Sequence, residues 1–203
     1  MSKQIVDSKR VLGLELPTDP RWVNLAQISL EEILTDHAFC EMKAATQCIS
    51  LISQYSDKEE LVKEVAPVVT EEWGHFRQVI NEMKKRGLQL GKQRKDEYVN
   101  ELLKFQRKGG SVEDRMLEKL MTSALIEARS CERFRLLSLH ISDDDLKEFY
   151  HSFMVSEAGH YKMFIQLANT YCGEEKTKAR WAEYLEFEAE LMNRLEPRGD
   201  RMH

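Results

Sequence analysis

Three Glu-x-x-His tetrads stand in the sequence, at Glu72/His75, Glu148/His151 and Glu157/His160. Residues three apart share one face of a helix, so each tetrad can present a carboxylate and an imidazole to the same cation. The motif is short. With 25 Glu and six His in the chain, roughly 0.7 such tetrads arise by chance, and the surrounding residues must select among the three.

The selection rests on which face each pair occupies. Leu146, Tyr150, Phe153, Phe164, Leu167 and Tyr171 recur at three–four spacing, and Glu157 with His160 fill the gap in that apolar stripe. Leu61, Val65, Val68, Val79 and Met83 make a similar stripe that Glu72 and His75 complete. Glu148 and His151 lie nine residues before the second pair, about half a turn round the helix, beside Asp144 and Ser152. They are expected to face water. Two further acids sit on apolar stripes: Glu41 with Leu30, Leu34, Cys48, Ile52 and Tyr55, and Glu127 with Leu117, Leu120, Ala124, Cys131 and Phe134. Glu71 points off its stripe, and Glu132 is rotated about 140° from Glu127.

The elements that must position these groups are helices. Only nine Gly and four Pro occur in 203 residues, and the periodicity predicts an all-α chain forming one domain over residues 1–203. A first helix is expected from Pro20 or Trp22 to Gln54, and a second from Asp57 to Arg86. Ser56-Asp57-Lys58-Glu59 has capping-box spacing at their junction, and Gly87 supplies a stop. A third helix is expected over Val112–His140 and a fourth over Asp143–Tyr171, the latter opened by N-capping acids and followed by Gly173. A short helix at Asp96–Phe105 interrupts the long connection from Gly87 to Ser111, and a last helix covers Glu174–Leu195. Two antiparallel hairpins, one long crossover and a C-terminal helix make the ferritin-like four-helix-bundle topology.

The spacing within the hairpins sharpens the metal reading. Glu41 lies 15 residues before the turn at Ser56, and Glu72 lies 16 after it; Glu127 and Glu157 each lie 15 from Ser142. At about 1.5 Å per residue, all four carboxylates fall some 22 Å from their own turns. Hairpins packed with their turns at one end bring every ligand to one level. Each buried, isolated charge carries a penalty of several kcal/mol, and two divalent cations balance four carboxylates. The expected metal ligands are therefore Glu41, Glu72, His75, Glu127, Glu157 and His160, in the pattern of di-iron or di-manganese proteins. His37, one turn before Glu41, is a candidate for holding that ligand from behind.

Composition excludes several other classes. Cys40, Cys48, Cys131 and Cys172 form no CxxC pair, against a zinc ribbon, a rubredoxin-type iron site or a disulfide framework. They read as reduced thiols, three of them in the core. No apolar run of about eighteen residues and no apolar leader occurs, so a cytoplasmic protein is expected. The net charge of −5 argues against a general coat for nucleic acid.

The segments DHAFCEMKAA around Glu41, EEWGHF around His75, LIEARSCERFRLLS around Glu127 and SEAGHYKMF around His160 resemble the tRNA-(2-methylthio-N6-hydroxyisopentenyl-adenosine) hydroxylases. The likeness runs from about Trp22 to the last helix, and EARSCERF is its most specific part. All six ligand types stand where that family's pattern has them. The resemblance implies a non-haem di-iron, O2-dependent monooxygenase with two iron ions per chain and an external electron donor. It also implies tRNA as partner, hydroxylated on the isopentenyl group of a methylthiolated adenosine beside the anticodon. Lys84, Lys85, Arg86, Lys92, Arg94 and Lys95 form a basic run with no acid among them, followed by Arg107 and Lys108. These eight are the expected tRNA-facing residues. The alternatives to the hydroxylase are a ferritin-like iron-binding or ferroxidase protein and a di-manganese catalase.

Overall fold

The computed structural model describes residues 11–203, which form seven α-helices and, among the described residues, no strand. By contacts the chain divides into two compact units. One comprises Ile28–Lys95 with Gly199–Met202, the other residues 11–27 with Asp96–Arg198 and His203.

The first unit is an antiparallel hairpin of α2 (Leu30–Gln54) and α3 (Glu59–Lys85). The first expected helix is in fact two, because α1 (Arg21–Ile28) ends before Ser29. Ser29 takes φ −112° and ψ 43°, and its carbonyl accepts from the Ile33 amide to start α2. Ile33, Leu34, Ala38, Cys48 and Leu51 of α2 are buried, as are Leu61, Val65, Val79 and Met83 of α3. The expected capping box at Ser56–Glu59 does not form: Lys58 is the N-cap of α3 and supplies no side-chain cap. That end of the helix relies on Glu59 and Glu60 in its first turn, placed favourably in the dipole.

Gly87 ends α3 as expected. At φ +69° it takes the left-handed conformation that lets the Leu88 amide reach back to the Met83 carbonyl at 2.9 Å. The chain then runs back along α2. Gln89 and Gly91 donate their amides to Glu31 and Thr35, and Arg94 pairs with Glu32 at 3.1 Å and Asp200 at 2.7 Å.

The second unit is built on the hairpin of α5 (Val112–His140) and α6 (Asp144–Cys172), with α4 (Glu97–Phe105) and α7 (Glu174–Arg194) beside it. The Ser111 hydroxyl and the Asp114 carboxylate cap α5 reciprocally, and Asp143 accepts from the Leu146 amide to open α6. Phe134 stacks on Tyr150 and meets Phe153 edge-on in the hairpin core.

On its other side α5 carries buried charge. Arg129, fully buried, donates to Glu132 at 3.0 Å, to Glu188 of α7 and to the Leu16 carbonyl. Glu132 also accepts from the amide and hydroxyl of Thr18, which ties the segment before α1 to α5. Arg133 lies over the Trp22 ring, 4.8 Å from its centroid. A second buried group joins Glu118 to Arg180 and Tyr184. α5 is thus buried nearly all round, which a single apolar stripe does not foretell.

The four cysteines are free thiols. Cys48 and Cys131 are buried, but Cys40 and Cys172 are only half-buried, so two thiols and not three belong to the core. Among the described residues no helix is long and apolar enough to cross a membrane.

Candidate metal centre

Each hairpin carries its own triad of two carboxylates and one imidazole. In the first, Glu41 stands near the middle of α2, and Glu72 and His75 stand one turn apart on α3. Antiparallel packing turns the apolar stripes of the two helices toward each other, and the polar residues filling those stripes follow. His75 Nδ1 lies 3.3 Å from Glu41 Oε2 and 3.4 Å from Glu72 Oε2. One ligand atom from each of the three lies within 4.8 Å of the others. All three side chains are buried, Glu72 to 1% exposure. His37 Nε2 is 2.7 Å from Glu41 Oε1. The histidine therefore stands behind the carboxylate, as its place one turn earlier suggests. Glu71 is exposed, and its oxygen is 3.9 Å from His75 Nε2.

The second hairpin repeats the arrangement. Glu127 comes from α5, and Glu157 with His160 from α6. His160 Nδ1 is 3.5 Å from Glu157 Oε2, and again one ligand atom of each residue lies within 4.8 Å of the others. Glu157 is 2% exposed, with Glu127 and His160 also buried. The neighbouring Cys131 thiol donates to the Met154 carbonyl, and burial, with the Glu157 carboxylate adding to it, pushes its pKa up to about 12.

The rejected candidates behave as their faces dictate. Glu148 and His151 are exposed on α6, and Glu132 is held in the Arg129 network. Arg129 and Glu132 stand at the i,i+3 spacing that marks a helical ion pair.

The basic residues divide. In the first unit Lys85 and Arg86 both reach Glu82, and Arg94 is held by Glu32 and Asp200. Lys84, Lys92 and Lys95 are exposed. In the second unit Arg107 pairs with Glu183 at 2.6 Å, and Lys108 is exposed.

The donor chemistry of each triad fits a divalent cation that prefers oxygen and imidazole ligands. Two carboxylates and an imidazole gathered in a buried space are expensive without one, because each charge is removed from water. A Glu from one helix and a Glu-x-x-His from its partner, occurring twice, is the ligand pattern of carboxylate-bridged dimetal proteins.

Fold and ligand pattern together define a ferritin-like protein of the di-iron carboxylate class. A solved structure described as Protein 43 with aldehyde deformylating oxygenase activity, from Synechococcus, matches with a TM-score of 0.86 and 34% identity, covering 94% of each chain. The profile of the tRNA-(ms2io6A)-hydroxylase (MiaE) family matches residues 4–203, and the chain belongs to that family. Two curated relatives are named tRNA 2-(methylsulfanyl)-N(6)-isopentenyladenosine(37) hydroxylase. The one from Pseudomonas putida is 38% identical over 170 residues, covering 84% of this chain and 81% of its own. The one from Salmonella typhimurium is 29% identical over 228 residues, covering 88% and 83%.

Proposed function

We propose that this protein is an O2-dependent hydroxylase of tRNA, acting on the isopentenyl group of 2-methylthio-N6-isopentenyladenosine next to the anticodon. The observation that carries the proposal is the doubled triad, one in each hairpin, in a chain whose family is named for this reaction. In this reading Glu41, Glu72, His75, Glu127, Glu157 and His160 together hold two iron ions, and the chain works as one domain around that centre. Bound and reduced, the iron pair supplies the two electrons that let O2 oxidise an unactivated C–H bond, which no side chain can do.

The protein's own residues have narrower tasks. The four glutamates would balance the charge of two divalent ions. His37 holds Glu41 in orientation. The buried apolar residues around each triad, among them Ala38, Ala45, Ala124 and Ala128, keep bulk water from the reacting carbon. An external reductant, a protein or a small molecule, returns electrons between turnovers. The cytoplasm, where tRNA is modified, is the proposed compartment. The exposed Lys84, Lys92, Lys95 and Lys108 are the members of the basic run most available to phosphates, whereas Lys85, Arg86, Arg94 and Arg107 already meet carboxylates.

The test uses iron-loaded, reduced protein with O2 and tRNA carrying the prenylated, methylthiolated adenosine. Digestion to nucleosides should show a product heavier by one oxygen atom. An unchanged nucleoside, with two irons per chain and reductant present, would overturn the activity while leaving the metal site. Iron loading far beyond two per chain would point to storage, and rapid peroxide breakdown by a manganese form would point to a catalase.

A further inference from the structure

The Glu72–His75 face of α3 is not its only apolar face. Val62, Ala66, Val69, Trp73, Phe76 and Ile80 follow one another at three–four spacing along another side of the helix. None of the six is buried, and Trp73 is 49% exposed. Trp73 stacks on Phe76 with ring centroids 4.9 Å apart and planes 23° from parallel. The pair is therefore a preformed aromatic surface on the helix that also carries two of the proposed metal ligands.

The charges that share a side of the helix with the Trp73–Phe76 pair, from that pair to the C-terminal end of α3, have one sign. Arg77 is one turn from Trp73 and Lys84 is two further turns along, so both lie on the Trp73 side of the helix. Both are exposed, and neither has a carboxylate partner among the described residues. Glu64, Glu71, Glu72 and Glu82 each lie roughly 100° or more round the helix from Trp73, and Glu59, which shares its side, stands far off in the first turn of α3. Flat aromatic faces flanked by unpaired cations suit unpaired bases joined by phosphates.

We propose that Trp73 and Phe76 form a stacking platform for unpaired bases of the tRNA anticodon loop, with Arg77 and Lys84 on the adjoining phosphates. The proposal rests on the hydroxylase reading, because it takes the loop bearing the modified adenosine as the occupant. The base to be hydroxylated goes to the metal centre; its neighbours in the loop are the ones that stack.

The test measures binding of an anticodon stem-loop RNA carrying the modified adenosine to the iron-loaded protein, by fluorescence anisotropy. Trp73→Ala should weaken binding on the order of tenfold to a hundredfold. Trp73→Leu, which keeps an apolar side chain without a ring, should lose as much, whereas Trp73→Phe should retain most of the affinity. Arg77→Ala and Lys84→Ala should each flatten the plot of log affinity against log salt by roughly 0.7. Turnover of the free modified nucleoside, which has no neighbours to stack, should be unchanged in the Trp73 variants. Unaltered RNA affinity in Trp73→Ala and Trp73→Leu, with iron content intact, would overturn the platform. So would a wild-type dimer that these substitutions dissociate without any effect on RNA. Wild-type protein that binds the stem-loop through Trp73 but never hydroxylates it would instead overturn the proposed reaction and leave the platform standing.

Discussion

His37 Nε2 lies 2.7 Å from Glu41 Oε1, one turn along α2, and both side chains are buried. A carboxylate that must also serve a cation gains from a partner fixing its plane, and such partners typically contribute ten- to hundredfold in metal affinity. His37→Ala should therefore weaken iron binding by roughly 10- to 100-fold, read by chelator competition, and His37→Gln should recover part of the loss. Equal affinities for wild type and His37→Ala would mean that the histidine is merely packed there.

The face assignment on α6 can be tested against α5. Glu127 is buried and belongs to the second triad, whereas Glu148 is exposed. Glu127→Ala should lower the iron bound per chain, and Glu148→Ala should leave it at the wild-type value, both measured by metal analysis after desalting. Equal loss from the two would show that the Glu-x-x-His pairs had been wrongly sorted.

Arg129 stabilises the second unit through a buried network. Burial opposes its charge, yet Glu188 and Glu132 hold the guanidinium above its ordinary pKa range. Removing it leaves two acids, Glu132 and Glu188, buried around the vacated place. Arg129→Met should cost about 3–5 kcal/mol, the range for breaking a buried pair. In a chain of this size that lowers Tm on the order of 10 °C. Adding Glu188→Gln should recover part of the stability, because it removes one stranded charge. Calorimetry on the two variants checks both statements, and a double variant no more stable than the single one would refute the electrostatic account.

Acid should expose the cap of α5. The Lys176 ammonium and the Ser111 hydrogen bonds hold Asp114 down at about 2. Its folded pKa lies below the unfolded value, about 3.9. Its contribution is therefore present above about pH 4 and disappears as pH falls toward 2. The gap between urea midpoints of wild type and Asp114→Asn should be full near pH 6 and should close as acid is added. A gap that stays constant down to about pH 2 would assign the effect to shape rather than charge.

The burial of the two carboxylate–imidazole triads was legible in the sequence to an unusual degree. A ligand pair at i,i+3 is a local fact of helix geometry, and apolar stripes name the face that each helix buries. Glu72 with His75 and Glu157 with His160 were separable from Glu148 with His151 on that basis alone. Ser29 was not legible as a break between α1 and α2, because nothing in its neighbourhood disrupts the periodicity. The Ser56 capping box failed for the opposite reason: its spacing was right, but Lys58 became the N-cap.

By itself the amino-acid order determined the helices, the side each presents inward and the residue types offered to a metal, because all three follow from a repeat of 3.6 residues. Tertiary packing decided what each side meets. It set His75 against Glu41 across the α2–α3 hairpin, and it enclosed Arg129 between Glu132 and Glu188. It tied Arg94 and Arg107 to acids far off in sequence. Contacts between distant segments depend on how whole faces fit together, and no local spacing encodes that fit.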